Sequence, residues 1–167
     1  ALNRLYRRRV LPAQIVGSEL ARTLCEISLG IGRQVGVMLD RRGSVTHVIV
    51  GTAKGWFLPD LGRHRAGRGR FRGLRLLHVH LDESLLDRDD LTDLVLLRLD
   101  LVGVIRPDER GLPVDLQYAT LLPPRDGEDG SPWLIEGPFD IHRAAEDFLR
   151  LIQAVEGEFA QRTVGQD

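Results

Sequence analysis

A β-hairpin over residues 35–50 is the strongest structural signal in this sequence. Its first arm alternates Val35, Val37 and Leu39 with other residues, its turn is Arg-Arg-Gly, and the run VTHVIV returns the chain. Alternation of this kind predicts half-buried strands. Gly43 supplies the positive φ that a short hairpin loop generally needs. Any fold of this chain must therefore accommodate an antiparallel pair of strands at this position.

Patterns on both sides of the hairpin predict further helices and strands. Before it, Ser18 is a suitable N-cap for a helix that ends near Gly30 and Gly32. The apolar face of this helix consists of Leu20, Leu24, Ile27 and Ile31. After the hairpin, strands are predicted at residues 56–58, 74–81 and 115–122.

Two more helices complete the predicted order. One begins at Asp87 or Asp89 and runs to about Gly103; because it is apolar almost all round, we expect it to be the most buried helix. The other spans residues 140–162, with apolar residues at alternating spacings of four and three. Strands that follow one another with a single crossover helix favour an α+β (α/β) fold: a mixed β-sheet with flanking helices, ordered helix-hairpin-strand-strand-helix-strand-helix.

Length and composition restrict the class of protein. The 167 residues suffice for one domain, taken as residues 1–167, and 43% of them are hydrophobic, as in ordinary folded proteins. No stretch of 18 uncharged apolar residues is present, so we expect no membrane span. The single Cys25 cannot form an internal disulfide, which favours a reducing, cytoplasmic location.

Charge is distributed unevenly along a chain whose net charge is only −1. Residues 61–75 contain six arginines and no acid, whereas residues 82–93 are strongly acidic. Because guanidinium groups bind phosphate bidentately, the basic stretch predicts a loop that contacts RNA or a ribosome. The alternative is a solvated loop that pairs with the acidic stretch. The candidate nucleic-acid-binding residues are Arg63, Arg65, Arg68, Arg70 and Arg72.

The sequence His78-Val79-His80 is the most chemically suggestive feature. Within a strand both imidazoles lie on one face, roughly 6.6 Å apart along the backbone. That spacing suits two ligands of one metal ion, and the acids at positions 87, 89 and 90 offer a third. Two imidazoles and a carboxylate form a ligand set typical of hydrolytic zinc sites.

The residues around these histidines resemble the motif of JAMM (MPN/JAB) metalloproteases. That family has His-x-His, ten residues and then Asp, with Ser three positions before the Asp. Here nine residues separate His80 from Asp90, and Asp87 stands in place of the Ser. The resemblance implies a JAB/MPN-like scaffold in which His78, His80 and Asp90 are the zinc ligands of a peptidase or isopeptidase.

The sequence departs from this family at the general base. The family's Glu, near the start of its first strand, has no counterpart in residues 32–36 (GRQVG), and Glu26, about two helical turns earlier, would have to replace it. We therefore expect no catalytic residue and no cofactor in this chain. A structural or vestigial metal and a working zinc hydrolase are the alternatives.

Most of the chain also resembles the extended amino-terminal region of HflX-type GTPases. The matching stretches are residues 6–10 (YRRRV), 33–37 (RQVGV), 40–43 (DRRG), 57–61 (FLPDL), 63–81, 90–94 (DLTDL) and 99–101 (LDL).

The resemblance implies an accessory amino-terminal domain of a cytoplasmic GTP-binding protein that associates with the large ribosomal subunit. GTP and Mg²⁺ would bind a downstream G domain of the parent protein, so no nucleotide-binding residue falls in this chain. Residues 140–162 would lead toward the next domain. Dimer formation or interdomain packing through this segment remains an alternative.

Overall fold

A computed structural model describes residues 1–11, 14–54, 71–122 and 132–141 of the chain. The helices are α1 (Asn3–Tyr6), α2 (Ser18–Ile31) and α3 (Arg88–Leu97), and the strands are β1 (Val35–Leu39), β2 (Val45–Val50), β3 (Arg75–Val79), β4 (Leu101–Pro107), β5 (Pro113–Leu121) and β6 (Trp133–Asp140). The strands form one sheet in the order β2-β1-β3-β4-β5-β6. Only β3 and β4 pair in parallel. The predicted α+β fold with a mixed sheet is confirmed.

The two longer helices lie on opposite faces of the sheet. Side chains alternate along each strand, so Leu77 and Val79 of β3 pack in the cluster that contains the buried face of α2. Leu76 points the other way, into a second cluster that contains Leu94 of α3. The central strands β1 and β3 are buried along their full length because both faces are covered.

The predicted hairpin is confirmed, with Val35 opposite Val50 in the register of β1 and β2. Gly43 has φ +82° in the turn. Val10 donates its backbone N–H to the Gly43 carbonyl at 2.9 Å, which fixes the amino-terminal segment against the turn. A Cβ at position 43 would lie 1.7 Å from the Val10 carbonyl oxygen, so this close approach requires glycine.

Helix α2 matches its prediction in extent but differs in two details. Its N-cap is Gly17, and Ser18 is the first helical residue, so the capping prediction for Ser18 is wrong. Ile31 is exposed because it is the last residue before the chain turns away at Gly32, whose φ is +65°. Glycine at such a left-handed C-terminal position ends helices without strain.

The prediction of one long buried helix to Gly103 is wrong. Helix α3 ends at Leu97, where Arg98 takes a left-handed conformation with φ +54°. The following residues form β4, a central strand parallel to β3. Only Asp90 and Leu94 of α3 are buried, whereas α2 has seven buried residues, so α2 is the more buried helix. The apolar run divides between a helix and a strand because Asp100 is held at the sheet by Arg41 and by the Gly73 N–H.

The strands predicted at 74–81 and 115–122 correspond to β3 and β5. The sequence did not predict β6, which ends at Asp140, where the last helix was expected to begin. The predicted strand at 56–58, the arginines at positions 63, 65, 68 and 70, and the helix beyond residue 141 lie outside the described residues. Within the described ranges, no helix has the length and apolar character needed to cross a bilayer.

Candidate metal centre

Three buried side chains meet where β3 ends and α3 begins. His78 is the fourth residue of β3, His80 follows the strand, and Asp90 is the third residue of α3. Both imidazoles belong to the sheet face that α3 covers, because His78 and His80 alternate with Leu77 and Val79 of the opposite face. The predicted common face of the two histidines is therefore confirmed. All three side chains are at most 4% exposed.

Asp90 bridges the two imidazoles. Its Oδ1 lies 2.7 Å from His78 Nε2, and its Oδ2 lies 3.5 Å from His80 Nε2. The ring centroids of the two histidines are 4.7 Å apart. Each residue thus offers one nitrogen or oxygen atom as a ligand, and these atoms all lie within 4.8 Å of one another.

The electrostatics follow from burial and from this bridging carboxylate. Burial lowers the pKa of His78, despite the opposing influence of Asp90. Burial also acts to lower the pKa of His80, but its hydrogen bond to Asp90 and the charge of that carboxylate prevail and raise it. For Asp90, burial acts to raise the pKa, and the hydrogen bonds from both histidines outweigh it and hold the pKa well below its usual range. The centre therefore contains an ionised carboxylate.

A capping box places Asp90 at the centre. Asp87 is the N-cap of α3, and its Oδ1 accepts the backbone N–H of Asp90 at 2.9 Å. In return Asp90 Oδ2 accepts the backbone N–H of Asp87 at 3.0 Å. This reciprocal arrangement satisfies two N–H groups that the start of a helix otherwise leaves without partners. Of the two cap residues considered from the sequence, the structure selects Asp87.

A short chain of hydrogen bonds orients His80. Ser84 Oγ donates to Asp82 Oδ1 at 2.5 Å, so its lone pairs face His80 Nδ1, 2.8 Å away. A proton on Nδ1 then completes the chain, and the other ring nitrogen, Nε2, faces Asp90, where a bound metal ion would replace the Nε2 proton. Outer-shell partners of this kind fix the tautomer and orientation of histidine ligands in metal sites.

Two glutamines lie in or beside the strands that flank β3 and β4. Gln117 of β5 accepts the Leu86 backbone N–H at 3.0 Å, which anchors the segment that leads into α3. Gln34 is only 3% exposed and lies just before β1, whose Gly36 pairs with His78.

The donor set fits a divalent transition metal. Zinc accepts imidazole nitrogen at about 2.0–2.1 Å and carboxylate oxygen at about 2.0–2.2 Å, so ligand atoms of a tetrahedral site lie about 3.4 Å apart. From the observed limit of 4.8 Å, binding therefore requires a contraction of about 1.4 Å. Three protein ligands leave one position of a tetrahedral site open. The sequence-predicted set of His78, His80 and Asp90 is brought together as one group.

The other predicted residues lie elsewhere. Glu26 projects from α2, on the opposite face of the sheet from the histidines, with its side chain 62% exposed and 3.7 Å from Arg4. It therefore cannot replace the missing general base at this centre. Arg72 is exposed, just before β3, at the end of that strand remote from His80.

Sequence reasoning did not identify Asp82, Ser84, Gln34 or Gln117 as part of this region. The position of Ser84, four residues after His80, offered a weak signal. Gln34 and Gln117 are far from the histidines in sequence, and only the pairing of the strands brings their segments to this part of the sheet. The chain matches no known family model, no curated protein and no solved structure.

Proposed function

We propose that this chain is a metal-binding accessory domain in which His78, His80 and Asp90 hold one divalent transition-metal ion. The proposed ion is Zn²⁺. The observation that carries the proposal is the convergence of three buried ligand atoms within 4.8 Å. Buried ionisable groups are costly unless they are paired or bind a metal. A bound ion would use the negative charge of Asp90 and the lone pairs of both imidazoles.

The ion would connect the end of β3 to the first turn of α3. Asp90 already caps α3 through Asp87, and His80 already fixes the intervening segment through Ser84. Binding at this junction stabilises the folded state by mass action, since the ligand geometry exists only when the chain is folded. We therefore assign the site a structural or ligand-binding role.

The alternative is a JAMM-like zinc hydrolase. In such an enzyme the metal supplies Lewis acidity, and a carboxylate beside it accepts a proton. Here Gln34 stands in the segment just before β1, where its carboxamide cannot accept a proton at neutral pH, and Glu26 lies on the other face of the sheet. These two placements favour binding over hydrolysis. Turnover of peptide or isopeptide substrates by the metal-loaded chain would favour the enzyme.

Metal content tests the proposal. The full chain, purified without chelator or metal-affinity resin and equilibrated with a slight excess of Zn²⁺, should retain about one Zn²⁺ per chain after desalting. Asp90→Asn should lose it. Asp89→Asn is the matched control, because it makes the same charge change in the same helical turn on an exposed side chain. Failure of the unmodified chain to retain Zn²⁺, or equal loss in both variants, would contradict the proposal.

We further propose that this domain belongs to a cytoplasmic HflX-type GTP-binding protein and contributes a contact with the large ribosomal subunit. The stretches of resemblance along the chain and the acid-free arginine run support this. The chain should sediment with large ribosomal subunits at low salt and dissociate as salt rises. No co-sedimentation at about 50 mM salt would contradict the assignment.

A further inference from the structure

Five arginines from four separate segments meet at the end of the sheet opposite the metal centre. These segments are residues 9–10, the β1–β2 turn at 40–44, residues 71–74 before β3, and residues 98–100 after α3. Each contributes at least one exposed arginine. We call this surface the arginine edge and define it by Arg9, Arg41, Arg42, Arg72 and Arg98.

Backbone hydrogen bonds hold the segments together. Val10 bonds to the Gly43 carbonyl at 2.9 Å, and the Asp100 N–H donates to the Leu74 carbonyl at 2.9 Å. Asp100 also accepts the Gly73 N–H at 3.0 Å and pairs with Arg41 Nε at 3.0 Å. The four segments therefore form one continuous surface, although they are far apart in sequence.

The only two acids in these segments are engaged locally. Asp40 Oδ1 accepts the backbone N–H groups of Arg42 and Ser44, both at 2.9 Å, and Asp100 bonds to Arg41 and Gly73. Five arginines against two aspartates leave a formal charge of +3. Within these four segments, arginines thus outnumber acids.

We infer that the arginine edge binds the phosphodiester backbone of RNA. Guanidinium groups pair bidentately with phosphate, and a nucleic acid presents one charge per nucleotide at regular intervals. RNA is preferred over an acidic peptide because the accessory role proposed above brings the domain to ribosomal RNA, and the inference rests on that role. It does not depend on the metal.

Charge reversal at matched positions tests this inference. Arg9→Glu/Arg42→Glu changes two exposed residues of the edge. The control, Arg88→Glu/Arg110→Glu, makes the same charge change on two exposed residues near the opposite end of the sheet. The probe is a labelled 20-nucleotide oligouridylate, with polyglutamate of equal charge as the competing ligand.

The edge variant should bind RNA at least about 10-fold more weakly than the unmodified chain, and the control within about 3-fold of it. About three phosphate contacts predict that log K falls with log salt at a slope near −2, since each contributes roughly −0.7 on single strands. Arg9→Gln/Arg42→Gln should show an intermediate loss, which keeps the test valid if the reversed variant does not fold.

Equal loss in both double variants, or tighter binding of polyglutamate than of RNA, would overturn the inference. Co-sedimentation with large ribosomal subunits separates this failure from failure of the accessory role. If the folded edge variant still sediments with the subunit as the unmodified chain does, the edge is wrong and the accessory role stands. If the unmodified chain does not sediment, the role itself fails.

Discussion

The two ends of β3 carry opposite kinds of polar chemistry. At its carboxyl end, His78, His80 and Asp90 are buried and paired with one another. At its amino end, the arginine edge is exposed and assembled from turns. Buried polar groups depend on every partner, so one substitution there costs much. Exposed charges act additively and weaken with salt. The first end is therefore suited to a specific small ligand, and the second to a large polyanion.

Asp90→Asn should produce the largest effect. It removes the only carboxylate that bridges both imidazoles while preserving side-chain size, and loss of a direct ligand should weaken Zn²⁺ binding by at least about 100-fold, since even outer-shell changes cost about 10–100-fold. Competition against a chromophoric chelator measures the affinity. RNA binding at the arginine edge should stay within about 2-fold, and a parallel loss there would show that the two ends are not independent.

Gly43→Ala tests the β1–β2 turn, at the end of the sheet opposite the metal centre. The new Cβ would lie 1.7 Å from the Val10 carbonyl at a position with φ +82°, so the turn or the amino-terminal segment must move. We expect the free energy of unfolding to fall by about 2–4 kcal/mol, measured by urea denaturation. Gly30→Ala is the control, since its Cβ meets nothing within 4 Å; it should be neutral or stabilising by up to about 1 kcal/mol. Similar losses in both variants would contradict the close approach at Gly43.

Ser84→Ala should weaken Zn²⁺ binding by about 10-fold, because it removes the hydrogen bond that directs the proton of His80 to Nδ1. In the metal-free protein at alkaline pH, ¹⁵N NMR should show both neutral tautomers of His80, since Nδ1–H donates to Ser84 and Nε2–H donates to Asp90; Ser84→Ala should shift the population toward the Nε2–H form. Ser84→Thr should restore both properties. An unchanged tautomer population in Ser84→Ala would contradict the role of the Asp82–Ser84–His80 hydrogen bonds in orienting His80, but it would not affect the metal proposal.

The smallest effect concerns Asp93, one turn after Asp90. Burial, followed by the charges of Asp90, Asp89 and Asp87, raises the pKa of Asp93 to about 6. Because the folded state favours the protonated form, ionised Asp93 destabilises the fold as pH rises from about 4 through 6.

Asp93→Asn should therefore raise the free energy of unfolding by about 1 kcal/mol at pH 8, after discounting for solvent screening, with almost no gain at pH 3.5. Denaturation in the presence of chelator measures both values. Exposed Glu109→Gln serves as the control, because Glu109 does not contribute to the pKa of Asp93, and a gain for Asp93→Asn that is independent of pH would contradict the electrostatic explanation.

Local patterns predicted much of this fold. Alternation identified β1 and β2, a largely apolar run identified β3, and the turn glycine fixed the hairpin. The run LTDLVLLRLDLV misled because it is apolar enough for either a helix or a buried strand. The helix ends where Arg98 adopts a left-handed conformation and donates its N–H to the Leu94 carbonyl, and the strand begins just after Asp100. Strand β6 was missed because its exposed residues give no apolar alternation.

The ligand triad was predictable because His-x-His on a strand and Asp at a helix start are local motifs. The surroundings were not, since the contacts of Ser84 with His80 and of Gln117 with Leu86 form only in the folded chain. The arginine edge was only partly visible. Arg72 lies in the conspicuous basic stretch. The other arginines of the edge, such as Arg9, Arg42 and Arg98, lie far apart in sequence, and hydrogen bonds between their segments bring them to one surface.

X-ray absorption at the zinc edge, recorded on the full chain loaded with one equivalent of Zn²⁺, tests whether His78, His80 and Asp90 bind the ion. Two imidazole nitrogens at about 2.0–2.1 Å and a carboxylate oxygen at about 2.0–2.2 Å are expected, and one imidazole should disappear from the spectrum of His78→Ala. A shell of six oxygens, or a spectrum that His78→Ala leaves unchanged, would show that the ion is bound elsewhere and that the buried triad is only a paired structural cluster.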